Sequence, residues 1–145
     1  MCIESPVPFH SDKPITAYKV MYCYGDIFLP CSNGVVYSKV AGNKYELGCT
    51  YQATNPIQFM NVSFCEEYDV GFHAYAKLED AEKELVQEVF RQGFYIHSPY
   101  RVIEVELSEI THKGIERIED DYCAVVYVAK QCTFVKIVES PFSLR

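Results

Sequence analysis

Two short segments carry the side chains best suited to holding a ligand. The first, residues 71–75, reads Gly-Phe-His-Ala-Tyr and places an imidazole and a phenol two residues apart. Because alternate side chains of a strand point to the same side, we predict that His73 and Tyr75 share one face, opposite Phe72 and Ala74. This face could present an imidazole and an aromatic ring to a ligand or to an interface. A histidine satisfied by its neighbours at a sheet edge is the alternative.

The second segment is the turn at residues 97–101, His-Ser-Pro-Tyr-Arg. It combines a cation, an aromatic ring and a hydroxyl, and turns fixed by a rigid sheet are common positions for binding groups. The same residue types are also ordinary turn formers, so a purely structural role stays open. We expect this turn and the end of a strand at 71–76 to form a ligand site together with a neighbouring subunit.

Aromatic residues are the most unusual feature of the composition. The chain has 12 Tyr, nine Phe and no Trp. A tyrosine ring suits stacking on a flat ligand and burial in a subunit interface, although Tyr and Phe are also good strand formers. We expect tyrosines to stack on the ligand and arginines to hold its phosphate groups. The predicted ligand-binding residues are His73, Tyr75, Arg91, Tyr100, Arg101 and Arg117.

The motifs of common catalytic and metal sites are absent from the sequence. We find no GxGxxG, GxxxxGK[ST], HExxH or GxSxG pattern and no EF-hand loop. The seven cysteines form no CxxC pair, so we expect free thiols that pack in the core. A pair formed by Cys65 and His73 would lack a third and fourth ligand, so we expect no metal and no cofactor. The sequence therefore favours a protein without catalytic residues.

A small cysteine- or histidine-dependent enzyme is an alternative that the absence of these motifs leaves open. Removal of Met1 would expose Cys2 with its own amine, an arrangement that N-terminal nucleophile hydrolases use. Nothing further along the chain identifies the base or the oxyanion site that such a thiol needs. His73 is the other residue on which an enzyme of this kind would depend.

Length and charge restrict the function classes. The chain has 145 residues, of which 49% are hydrophobic and 23% charged, a composition typical of one globular domain spanning 1–145. Its formal net charge of −7 disfavours a nucleic acid polymer as partner. No apolar run reaches the length of a membrane span, and the N-terminus lacks the pattern of a signal peptide. We therefore expect a cytoplasmic protein that does not bind membranes.

Hydrophobic periodicity predicts a chain rich in strands. Residues 15–24 alternate so that Thr16, Tyr18, Val20 and Tyr22 share one face. A Gly-Asn pair at 42–43 predicts a hairpin between the runs on either side of it. The predicted strands cover residues 15–24, 34–40, 44–51, 57–64, 71–76, 100–108, 122–129 and 133–138.

One segment has the period of an amphipathic helix. Leu78, Ala81, Leu85 and Val89 recur every three or four residues, and acidic residues crowd the first turn, where the helix dipole favours them. We therefore predict a helix over 78–92. The fold class that follows is α+β: an antiparallel-rich β-sheet or partly open barrel of about seven or eight strands, packed with this one main helix.

The layout of several segments resembles small proteins of phages and prophages. The resemblance rests on Met1-Cys2, ITAYKV at 15–20, VVYSKV at 35–40 with YELG at 45–48, and GFHAYAKLEDA at 71–81. In layout the chain is similar to the Thoeris anti-defence sponges, which assemble as oligomers and sequester cyclic nucleotide signals without cleaving them. The resemblance implies a ligand class, and a host-cell cytosol if the chain is phage-encoded, but assigns no role to any residue.

These observations lead to three hypotheses. The first is a non-enzymatic, homo-oligomeric phage protein that sequesters a small nucleotide-derived ligand, with cyclic nucleotides as candidates. The second is a protein-binding inhibitor of a host factor, acting through an exposed strand edge and the acidic helix face. The third is the small Cys- or His-dependent enzyme described above.

Overall fold

The computed structural model describes residues 3–29, 31–32, 35–36, 44–53, 71–92, 99–119 and 121–139. The strand predicted over 57–64 lies outside these residues, as do Cys2 and Cys65. Within the described residues, no helix combines the length and the apolar character needed to pass through a membrane.

The described elements form an antiparallel sheet with one helix. In chain order they are β1 (Glu4–Pro8), β2 (Ile15–Tyr24), β3 (Ile27–Leu29), β4 (Cys31–Ser32), β5 (Val35–Val36), β6 (Thr50–Gln52), β7 (Phe72–Tyr75), α1 (Leu78–Gln92), β8 (Tyr100–Glu119) and β9 (Tyr122–Val138). Seven strands form one sheet in the order β1-β8-β2-β7-β9-β6, with β3 paired to β2, and β4 pairs with β5 separately. The predicted fold class, an antiparallel α+β arrangement, is confirmed.

The sheet curls into a partial ring because β8 and β9 each have neighbours on two sides. β8 pairs with both β2 and β9, and β9 also pairs with β7. The ring is completed where β2 meets β7, at Tyr18 and Tyr75. Beside this pair, Lys19 Nζ donates a hydrogen bond to the carbonyl oxygen of His73. A charged side chain therefore helps to hold the two strands together.

One face of the sheet carries an aromatic core. Tyr45 is its centre, with ring centroids 4.9 Å from Phe134, 4.8 Å from Tyr51 and 5.8 Å from Phe72. Phe28 lies 6.0 Å from Phe134 on the same face. Stacked, tilted and edge-to-face arrangements of this kind add to the stabilisation that burial provides. A sizeable part of the aromatic content is therefore used in packing within the fold.

Helix α1 covers a second core on the other face. The helix predicted over 78–92 is confirmed, and it buries Ala81, Leu85 and Val89. Two contacts attach its first turns to β9: Tyr122 Oη donates a hydrogen bond to Asp80, and Lys83 Nζ lies 4.0 Å from the centre of the Tyr122 ring. The sheet residues of this helix-covered core include Tyr75, Tyr100, Val102, Val126 and Val128.

The predicted hairpin between 34–40 and 44–51 is wrong for its described residues. Val35 and Val36 pair with Cys31 and Ser32, whereas Thr50–Gln52 pairs with β9. A turn at Gly48, which has a φ of 80°, ends the second predicted strand before it can form a continuous ladder. Residues 37–43, including the predicted turn, lie outside the described residues.

The last strands are longer than predicted. The strand predicted over 100–108 continues to Glu119, and those predicted over 122–129 and 133–138 form the single strand β9. In both strands the buried positions change phase: Leu107 and Ile110 face the aromatic core, as do Ala129 and Cys132, although each pair is three residues apart. When the alternation of buried and exposed residues is interrupted in this way, the sequence pattern indicates the end of a strand although the strand continues.

The change of phase in β8 occurs at Glu109, which has a φ of 56°. A non-glycine residue in this left-handed region costs about 1 kcal/mol, and more when it is β-branched. Two positions later, Thr111 has no direct partner on β9, because Ile110 pairs with Ala129 and His112 pairs with Val128. This bulge and the unusual φ together bend the sheet.

We predict that the effect of a substitution at Glu109 on the free energy of unfolding depends on how easily the new residue adopts positive φ. Glu109→Gly should keep or raise the free energy of unfolding, because glycine adopts positive φ without strain, whereas Glu109→Val should lower it by about 1–2 kcal/mol. Urea titration measures both. Glu119 is an exposed residue of the same strand without positive φ, and there valine should be tolerated better than glycine. A Glu109→Val protein as stable as the Glu109→Gly protein contradicts this account.

Candidate functional site

On β7, His73 and Tyr75 lie on the side of the strand opposite Phe72 and Ala74, as the alternation in the sequence predicts. Tyr75 belongs to the helix-covered core, whereas Phe72 and Ala74 belong to the aromatic core. Tyr75 is fully buried, and His73 is half-buried with its Nδ1 3.1 Å from the carbonyl oxygen of Gly71. Burial, with the Lys19 ammonium adding to it, lowers the pKa of His73 to about 3. The imidazole is therefore neutral near pH 7.

The side chains of three other predicted ligand residues are described: Tyr100 and Arg101 at the start of β8, and Arg117 near its end. Tyr100 is 1% exposed and packs edge-to-face on Tyr22, with ring centroids 5.5 Å apart. Arg101 is half-buried, and its Nη1 donates a hydrogen bond of 2.9 Å to the carbonyl oxygen of Tyr100. Arg117 is exposed near the opposite end of β8, and the side chain of Arg91, in the last turn of α1, is outside the description. A joint ligand site formed by these residues stays a prediction.

The buried thiols are poor nucleophiles. Burial raises the pKa of Cys23 to about 11 despite the nearby Arg101, and it raises the pKa of Cys132 to about 11 despite the nearby Lys19. Because the thiolate is the reactive form, both cysteines are almost entirely unreactive thiols at neutral pH. Among the described residues, no three His, Cys, Asp or Glu side chains are grouped as metal ligands would be.

A carboxyl group lies under α1 in an unfavourable environment. Burial raises the pKa of Glu116 to about 7, and Glu84 on the helix raises it further, whereas the Tyr75 hydroxyl opposes the shift. Its Oε2 has no hydrogen-bond partner among the described residues. Ionisation of Glu116 therefore weakens the packing of α1 on the sheet.

An exposed polar surface covers the part of the sheet face that α1 leaves open. Direct pairing places Thr16 beside Glu106, Glu106 beside Thr133, and Thr133 beside Thr50, in one row across β2, β8, β9 and β6. The row spans about 14 Å, since neighbouring strands lie ~4.8 Å apart. We define the polar face as this row and its neighbours in register: Thr16, Thr50, Gln52, Glu104, Glu106, Ser108, Gln131, Thr133 and Lys136.

Several groups of the polar face are already oriented by one another. The Thr50 and Thr133 hydroxyls are 2.7 Å apart, and Gln52 Nε2 donates a hydrogen bond of 2.7 Å to Gln131 Oε1. Each of these side chains retains donor or acceptor capacity for a further bond. The buried residues on the reverse side of the same strands fix the backbone beneath them. The result is a preorganised array of hydroxyl, amide and carboxylate groups.

Sequence reasoning missed the polar face. Alternating polar residues are visible in Thr50-Tyr51-Gln52 and in the run from Glu104 to Ser108, but alternation alone indicates only an exposed strand face. The register that joins four strands, distant in sequence, is a tertiary property. No local motif could have identified it.

We predict a pH-dependent stability that depends on Glu116. Its pKa is about 7 in the folded chain, above the ordinary 4.5, so the stabilising contribution is complete below pH 4.5 and is lost as the pH rises through 7. Glu116→Gln should flatten the fall in the free energy of unfolding between pH 5 and 8, and should be about 2 kcal/mol more stable than the wild type at pH 8. Urea titration across this range is the measurement, with Glu119→Gln as an exposed control. Parallel pH profiles of wild type and Glu116→Gln contradict the prediction.

Comparison with models of protein families, with curated proteins and with solved structures found no match to this chain. The function therefore has to be argued from the residues that the fold brings together.

Proposed function

We propose that this protein binds a small nucleotide-derived ligand and holds it without chemical change, in the manner of a phage anti-defence sponge. The polar face is the observation that carries the proposal. Its hydroxyl, amide and carboxylate groups complement the ribose hydroxyls and base edges of a nucleotide, which are themselves uncharged donors and acceptors. The resemblance noted in the sequence supports the same ligand class.

The charges of the polar face favour a ligand of low charge. Glu104 and Glu106 contribute two carboxylates, and Lys136 contributes one ammonium, whose Nζ lies 4.0 Å from Glu104 Oε1. Lys136 is largely exposed and can turn towards a phosphate, but the two carboxylates repel a ligand with many negative charges. A small nucleotide therefore suits this surface better than a nucleic acid strand.

Three of the candidate nucleophiles and bases, namely Cys23, Cys132 and His73, are poorly suited to catalysis. A thiol needs a lowered pKa to attack, and a general base works best with a pKa near the operating pH. Burial moves the pKa of Cys23 and Cys132 to about 11 and that of His73 to about 3, away from those ranges. Binding by a rigid sheet face requires no such group.

The proposal predicts that the ligand is recovered intact. The protein is mixed with AMP, cyclic mononucleotides and cyclic dinucleotides, and binding is measured by isothermal calorimetry. The bound fraction is then released by heating and analysed by mass spectrometry. We expect at least one of these nucleotides to bind and to return with its mass unchanged. Absence of binding by all of them, or a released nucleotide of altered mass, contradicts the proposal.

A protein-binding inhibitor is the second candidate, and exposed apolar residues at the end of β9 favour it. Val135 and Ile137, near the end of β9, are 44% and 41% exposed. Exposed apolar side chains that lie close together are typical of protein interfaces. They could also serve contact between copies of this chain, which the expected homo-oligomer requires.

Variants at these positions separate the two candidates. The double substitution Val135→Ser with Ile137→Ser, which adds no charge beside Lys136, should leave nucleotide binding unchanged if the polar face is the functional surface. An inhibitor should instead lose its captured host partner in the same variant while its fold, followed by circular dichroism, persists. Native mass spectrometry of both proteins also reports the subunit number. Nucleotide binding that disappears together with the apolar pair contradicts the assignment to the polar face.

A further inference from the structure

Glu106 occupies the central position of the polar face. It is exposed on β8, between Thr16 of β2 and Thr133 of β9. Its carboxylate makes no hydrogen bond or ion pair with the described residues, whereas Glu104, two residues earlier, lies beside Lys136. The face therefore has one carboxylate that is compensated by a cation and one that is not.

A carboxylate of this kind is matched by a group that donates two hydrogen bonds and carries no negative charge. An ionised carboxylate only accepts, and its two oxygens can each take a donor. The two adjacent hydroxyls of a ribose fit this requirement, and dinucleotide-binding proteins use an acidic residue to hold a ribose hydroxyl in the same way. A phosphate placed there would be repelled.

We propose that Glu106 recognises the ligand by accepting hydrogen bonds from the two vicinal hydroxyls of its ribose. This assignment rests on the proposed function and specifies the ligand further. The threonine hydroxyls on either side of Glu106 orient the ring, because a hydroxyl can both donate and accept. Nucleotides whose ribose has both hydroxyls free are the ligands that this site selects.

Charge complementarity argues for this occupant of the sheet face. An anionic group is disfavoured at Glu106, because the carboxylate already carries an uncompensated charge and Glu104 lies on the same strand. An apolar partner would leave that carboxylate desolvated without a donor, which costs free energy. A neutral diol avoids both penalties, since it supplies donors and no charge.

The test is a double-mutant cycle between protein and ligand. Binding of AMP, 2′-deoxy-AMP and 3′-deoxy-AMP is measured by calorimetry to the wild type and to Glu106→Gln, with Glu119→Gln as an exposed control outside the face. We expect Glu106→Gln and removal of either hydroxyl each to weaken binding by about tenfold or more. Their combination should weaken it little further, because both changes remove the same interaction. Unchanged melting temperatures show that the variants are folded.

The outcomes distinguish this inference from the function on which it rests. If AMP binds the wild type and Glu106→Gln equally, or if the protein binds only nucleotides without free vicinal hydroxyls, the role of Glu106 is overturned and nucleotide binding stands. If no nucleotide binds the wild type, both are overturned. If glucose or maltose binds with the same dependence on Glu106 while AMP does not, the occupant is a glycan and the ribose assignment is wrong.

Discussion

The antiparallel ladder between β8 and β9 is the interaction on which the rest of the structure depends. It extends from Val102 with Val138 to Glu119 with Tyr122, which are only three residues apart in the sequence. A hairpin of this kind closes a short loop and so loses little chain entropy. β1 and β2 pair with β8, and β6 and β7 pair with β9, so the hairpin provides the edges on which these strands are added.

The sheet face on which α1 packs has two parts: a part that the helix covers and an open polar part. One part of this face carries apolar residues such as Val102 and Val20, and α1 packs on this part and buries it. Where the face carries residues such as Glu106, Thr133 and Gln131, burial would cost hydrogen bonds to water, and the surface stays open. The position of the helix therefore follows from residue type, and the position of the polar face follows from the helix.

Several buried and half-buried ionisable side chains have structural roles in the interior. Lys19 donates a hydrogen bond to a backbone carbonyl where β2 meets β7, and Asp80 accepts a hydrogen bond from the Tyr122 hydroxyl. Burial raises the pKa of Glu116, so this carboxyl stays protonated to a higher pH than an exposed one. The first two contacts fix one element against another. A sheet fixed in this way presents its outer side chains in constant geometry, so binding at this surface would cost the protein little conformational entropy.

The amino-acid sequence by itself determined the helix over 78–92, the strand over 15–24 and the common side of His73 and Tyr75, because these follow from a local period of 3.6 or two residues. The full length of β8 and β9 was not predictable, since positive φ at Glu109 shifts the apolar phase within a continuous ladder. Two features follow from the tertiary structure alone: Tyr75 is inaccessible under α1, and Glu106 stands between side chains of two other strands. Both depend on register and packing between segments far apart in sequence, which no local pattern encodes.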